Sequence, residues 1–147
     1  MDPRLTLITL GVADVEAARR FYVDGLGWDP AFDVPGQVLF LQVGPGVLLS
    51  FFGAQDLAAD MGDARGSAPA TPQGVTLAHN VDSPAAVDAA IARAVAAGAR
   101  VVKPAQRAEW GGYHGYVEDP CGVRWEIAHN SGLTIAADGT VSLGAVE

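Results

Sequence analysis

Gly112-Tyr113-His114-Gly115-Tyr116-Val117-Glu118-Asp119-Pro120-Cys121-Gly122-Val123-Arg124-Trp125-Glu126-Ile127 reads as two strand-forming runs on either side of an Asp-Pro-Cys-Gly turn. Pro120 brings the fixed φ that suits the second position of a tight turn, and Gly122 a backbone free to leave the ordinary φ/ψ regions. After the turn, alternation puts Val123, Trp125 and Ile127 on one face and Arg124, Glu126 and Ala128 on the other. A carboxylate on such a face is solvated, paired for structural reasons, or set in a cavity. Which of these holds for Glu126 depends on what the rest of the chain builds around it.

Immediately upstream, Val75 to Val81 has strand character, and Ser83 followed by Pro84 is a strong helix start. Val87, Ile91 and Ala94/Val95 recur at helical spacing until Gly98 stops them; Arg100 to Lys103 is then a short strand closed by Pro104. The same order occurs earlier. Thr6 to Val12 alternates as a strand, and Asp14 caps a helix carrying Val15, Ala18, Phe21/Tyr22 and Gly25/Leu26. After Trp28 come a short strand, a Val34-Pro35-Gly36 turn, a strand near Gln37 to Val43, a Gly44-Pro45-Gly46 turn, and a strand from Val47 to Phe52.

The offsets between the halves are consistent: Asp14 to Ser83 is 69 residues, Gly27 to Gly98 is 71, and Gly46 to Gly122 is 76. Slow drift of that kind is absorbed by loops, so the chain predicts a duplicated β-α-β-β-β unit. Expected boundaries are module one at 4–52, a linker or mobile loop at 53–74 rich in Gly, Ala, Asp, Pro and Ser, and module two at 75–130. A C-terminal hairpin follows at 131–147, the whole forming one domain. The fold class is α+β.

Half of the 147 residues are apolar and 18% are charged, as in ordinary globular chains. A net charge of -8 argues against a nucleic-acid partner, which needs a basic footprint. No apolar run approaches the length of a membrane span, and the first residues lack a signal-peptide pattern. The single cysteine, Cys121, excludes an internal disulfide and suits the cytoplasm. It has no His/Asp partners in the pattern, so a reactive thiol is not expected.

Thr9-Leu10-Gly11-Val12-Ala13-Asp14, Arg20-Phe21-Tyr22 and Leu26-Gly27-Trp28, together with Glu118-Asp119-Pro120-Cys121-Gly122 and Trp125-Glu126-Ile127, give the chain a family likeness. Over residues 4 to 130 it resembles the vicinal oxygen chelate superfamily: glyoxalases, bleomycin-resistance proteins, extradiol dioxygenases, epimerases and fosfomycin-resistance enzymes. The resemblance implies two βαβββ modules curled as a mixed sheet around a concave cleft, and a homodimer.

It also implies metal ligands, two His and one or two Glu, on the first and last strands of each module. Those positions are Leu7 and Thr76, seven residues before the caps, and Ser50 and Glu126, four after the turn glycines. Only Glu126 is a good ligand, and one carboxylate does not hold an ion that requires three or four protein donors. No metal or other cofactor is therefore expected, a displaced divalent site being the alternative. By alternation His79 and His129 share faces with residues that pack on the helix and read as structural. His114, in a Gly-rich segment, can approach Glu126 across the hairpin, although a one-residue slip would reverse its face.

The implied cleft carries Leu7, Thr9, Leu48, Ser50, Phe52, Thr76, Ala78, Asn80, Glu126 and Ala128, mostly apolar with a few polar groups. Trp110, Tyr113 and Tyr116 are either aromatic walls or core and interface residues. Glu126 is an acid–base group or an anchor for a cation, or else it pairs structurally with Arg124, Arg19 or Arg20. The leading expectation is metal-independent binding of a small, largely apolar molecule, neutral or cationic. The alternative is a lyase, isomerase or dioxygenase-type enzyme. It would use Glu126 as base with His114 or Tyr113 as acid, or a displaced metal site.

Overall fold

The computed structural model describes residues 1–64, 66, 68–69 and 71–144. The first alternating run forms β1 (Leu7–Val12). Asp14 then caps α1 (Val15–Arg19), its carboxylate accepting from Glu16 N at 2.9 Å. The helix does not stop at its last α turn. It widens into a π-helical segment, Arg20–Gly25, in which Phe21 O accepts from Leu26 N. This wider turn ends at Gly25, where an added Cβ would lie 2.8 Å from Ala97 Cβ, so the two modules meet closely there.

Three strands complete module one: β2 (Pro30–Val34), β3 (Val38–Gly44) and β4 (Val47–Gly53). They form a four-stranded sheet in the order β1-β4-β3-β2, with β1 parallel to β4 and the other pairs antiparallel. Module two repeats the plan with β5 (Leu77–Asn80), a helix over Pro84–Ala96, β6 (Arg100–Arg107), β7 (Tyr113–Glu118) and β8 (Arg124–His129). Its sheet order is β5-β8-β7-β6, again with the first and last strands parallel. Register carries the sequence offsets into space. Thr9 pairs with Ser50 and Ala78 with Glu126, displacements of 69 and 76 residues.

Two expectations need correction. The 53–74 stretch is not all linker: Ala54–Asp60 is α2, so the helix of module two is α3. α2 packs on β1 and β4, and Gly11 makes room for it, since a Cβ there would lie 3.1 Å from Ala54 Cα. Arg65, Ser67 and Ala70 of that stretch lie outside the described residues, as do the last three residues of the expected C-terminal hairpin. The hairpin itself is β9 (Leu133–Ile135) and β10 (Val141–Leu143). Finally, β6 continues through Pro104. As the edge strand of its sheet it shifts register between Val101 and Lys103 and again before Gln106, where a residue without an N–H is tolerated.

One core serves both modules. Leu39, Leu41, Leu49 and Phe51 from the helix side of the first sheet join Val117, Val123 and Ile127 from the helix side of the second. Phe21, Tyr22, Val87 and Ala94 of the helical segments lie among them. The faces bearing Ser50 and Glu126 are, by alternation, the ones turned away from this core.

Candidate functional site

Glu126 lies on β8 opposite Tyr116 of β7, and His114, paired with Ala128, is its diagonal neighbour. His114 Nδ1 and Glu126 Oε1 are 2.5 Å apart. Lys103 Nζ lies 3.2 Å from His114 Nε2. An ammonium group can only donate, so Nε2 accepts and Nδ1 carries the proton given to Glu126. The three residues form one hydrogen-bonded line across three strands. His114 is 8% exposed, and the Glu126 side chain 23%.

Glu126 makes no further hydrogen bond among the described residues, leaving its second oxygen available. The arginines expected as partners are engaged elsewhere: Arg124 with Glu118, Arg19 with Asp24 and Asp33, Arg20 with Asp14. Trp110 and Tyr116 stand edge-on to His114, with ring centroids 5.4 and 5.8 Å away. Burial, and then the Glu126 charge, push the Tyr116 phenol above its usual value. The Trp110 ring folds back over Gly112, a position any side chain would occlude. The site thus combines an oriented carboxyl group, an imidazole, a lysine amine and two aromatic edges.

Sequence reasoning placed Ala78, Asn80, Thr76 and Trp110 beside Glu126. Ala78 and Asn80 lie on β5 in register with Glu126 and Ala128, and the Thr76 hydroxyl bonds to Arg124 O at 3.2 Å. Tyr113 is a correction. It is one residue out of phase with His114, and its hydroxyl donates to Asp88 of α3 at 2.9 Å, on the helix side. Leu7, Thr9, Ser50 and Phe52 are gathered on the other sheet, not on this one. Ser50 is 1% exposed, which closes it to a ligand within the single chain.

Lys103 was missed because the bulges of β6 move it from the position simple counting assigns. His79 was read as a packing histidine, yet β5 is an edge strand and its ring is exposed. His129 is held through Nδ1 and Val81 O, 3.1 Å apart.

The four positions at which the family resemblance implies metal ligands carry Leu7, Thr76, Ser50 and Glu126. Among the described residues no three His, Cys, Asp or Glu side chains converge on a metal-sized space. With both nitrogens of His114 engaged, this donor set does not fit a divalent ion.

Against known sequences, the model of the glyoxalase/bleomycin resistance protein/dioxygenase superfamily matches residues 4–127. The chain belongs to that superfamily. A glyoxalase-related enzyme from Fulvimarina pelagi is 40% identical over 98% of this chain and 100% of its own, with a TM-score of 0.88. A superfamily protein from Nocardioides is 30% identical, covering 88% of this chain and 84% of its own, with a TM-score of 0.70. Lactoylglutathione lyase from Agrobacterium tumefaciens is 26% identical, at 88% and 95% coverage and a TM-score of 0.64. No curated protein matches the chain. The superfamily's βαβββ architecture is the one described above. No helix among the described residues is long and apolar enough to cross a membrane.

Proposed function

We propose that the protein binds a small, largely apolar molecule, neutral or cationic, against the Glu126 face without a metal ion. The observation that carries this reading is the available oxygen of Glu126. His114 holds one carboxylate oxygen, the other has no hydrogen-bond partner among the described residues, and Ala78 and Tyr116 flank Glu126 on the neighbouring strands. A ligand N–H or ammonium placed there would gain a charge-assisted hydrogen bond in a partly dry setting.

A second copy of the chain would complete the cleft. The Leu7–Phe52 face and the Glu126 face belong to different sheets, both turned from the shared core, and a homodimer can set one against the other. Leu7 at 38% exposure and Trp110 at 46% are apolar surface available for that contact. A cytoplasmic setting accords with the single free thiol.

The oriented carboxylate also favours a second reading, a lyase or isomerase in which Glu126 is the base and His114 fixes its direction. A thermal-shift screen of apolar amines and their neutral analogues, with Glu126→Gln alongside, tests the binding reading. Hits should raise the melting temperature of the native protein, and the amines should lose that effect in the variant. Elemental analysis of protein purified without chelators is the companion measurement. A stoichiometric divalent metal that disappears in Glu126→Gln would overturn the metal-free reading. Turnover of a hit, abolished in Glu126→Gln while binding persists, would select the enzyme.

A further inference from the structure

A cavity of about 400 Å3 opens at the seam between the modules, on the helix side of the second sheet. It is separate from the Glu126 face, since Trp125 and Ile127, which line it, alternate with Glu126 along β8. Its walls are aromatic and aliphatic: Phe21, Tyr22 and Trp28 from module one meet Trp125 and Ile127 from module two. Trp28 and Trp125 stand edge to face, with centroids 5.9 Å apart. The buried polar groups in the walls satisfy one another, Trp125 Nε1 donating to the Tyr22 hydroxyl at 2.8 Å.

Two basic side chains also border the cavity. Arg93 of α3 spends one nitrogen on Leu26 O, 2.6 Å away, and has no carboxylate partner among the described residues. His79 makes no hydrogen bond among them. Among the described residues no acidic side chain lines this space. In a chain of net charge -8, this lining carries a guanidinium with nitrogen to spare and its nearest carboxylate, Asp29, borders the adjoining pocket that shares Trp28, His79 and Trp125.

We propose that this seam is a second small-molecule site, for a planar aromatic anion. The ring system would lie against the Trp28–Trp125 pair on the cavity side, and its carboxylate would accept hydrogen bonds from Arg93, with His79 alongside. Occupancy would bridge the two modules and stabilise their packing. The charge preference is opposite to that of the Glu126 face, so the two sites are distinguishable by ligand charge.

The probe is 2-naphthoate, with 2-naphthylmethylamine as its cationic counterpart, titrated calorimetrically into the full chain. The indole N–H signals in 1H–15N spectra report location. Saturable binding of the naphthoate should shift Trp28 and Trp125 and leave Trp110, which lies beside His114, in place. Arg93→Gln, a change at an exposed position, should weaken the naphthoate by about tenfold, the loss of one charged contact. Ala90→Phe, which fills the cavity from α3, should abolish it, and Glu126→Gln should leave it unchanged. No saturable binding would overturn the proposal. So would equal affinity for the amine, a shift confined to Trp110, or full binding in Arg93→Gln.

Discussion

The Tyr22 hydroxyl donates a 2.6 Å hydrogen bond to Asp119 Oδ2, joining the π-helical segment of module one to the β7–β8 turn of module two. The other carboxylate oxygen accepts from the Cys121 and Val123 backbone N–H groups at 2.8 and 2.9 Å. One buried side chain therefore shapes the Asp-Pro-Cys-Gly turn and holds the opposite module against it. The geometry gives Asp119 a structural task and leaves Glu126, seven residues later, free for the site.

Tyr22→Phe should remove this tie. Asp119 would lose a partner at a buried position and Trp125 Nε1 one at a part-buried position, a cost of about 1–3 kcal/mol. Urea unfolding should show a lower midpoint at an unchanged slope. An unshifted midpoint would mean that the modules are held by apolar packing alone.

The pair also predicts a pH dependence. Burial raises the Asp119 carboxyl above 3.8, outweighing the bonds from Tyr22 and the backbone that favour its charged form. The folded state consequently binds this proton more readily than the unfolded chain. The contribution is full below 3.8 and is lost as pH rises through the folded value. Asp119→Asn cannot titrate, so its stability deficit relative to the native protein should shrink as pH rises through that range. A deficit independent of pH would contradict the assignment. Glu118 acts in the opposite sense. Burial tends to raise its carboxyl, but Arg100 and Arg124 outweigh that and hold it below 4.5, so its contribution fades as pH falls through the lowered value. Glu118→Gln removes that part separately.

Cys121 should be inert in the native protein. Burial first, and then the nearby Asp119 and Asp14 charges, push its thiol up to about 12. Its Sγ lies 3.3 Å from Asp14 O. At neutral pH a disulfide reagent should react slowly with the folded chain and rapidly in denaturant. Equal rates would show that the turn opens readily.

Gly115→Ala should destabilise the second sheet by about 1–3 kcal/mol, the cost of overpacking. A Cβ there would lie 2.9 Å from Ala105 N, Lys103 O and Ile91 Cδ1, two of which are backbone atoms unable to move aside. Gly46→Ala, with nothing within 4 Å and no positive φ to relieve, is the matched control and should be near neutral. Comparable losses in both would remove packing as the reason.

Much of the fold was legible because its signals are local. Asp14 and Ser83 cap helices through their own side chains, and Gly122 adopts φ +82 at the end of the turn whose second residue is Pro120. Alternation assigned the faces of β1, β4, β5 and β8, and the repeat offsets of 69 and 76 residues reappear as strand register. Elsewhere the local signal was too weak. α2 is seven residues of Ala, Gln, Asp and Leu, a length at which an isolated helix is not stable. It exists because β1 and β4 offer it a surface, with room above Gly11.

The sequence by itself determined the duplicated βαβββ plan, the superfamily likeness and the unusual carboxylate at position 126. The first follows from spacing along the chain, the other two from the residue types that the resemblance rests on. Only the tertiary structure decided what stands beside that carboxylate. Bulges in β6 bring Lys103 to His114, and the register of β7 on β8 turns His114 toward Glu126 and Tyr113 away from it. It also decided that both helix-bearing faces share one core, with Ser50 and Glu126 on the far sides of different sheets. Pairing between strands, and packing between sheets, depend on contacts made across many residues of chain. Periodicity carries no record of them.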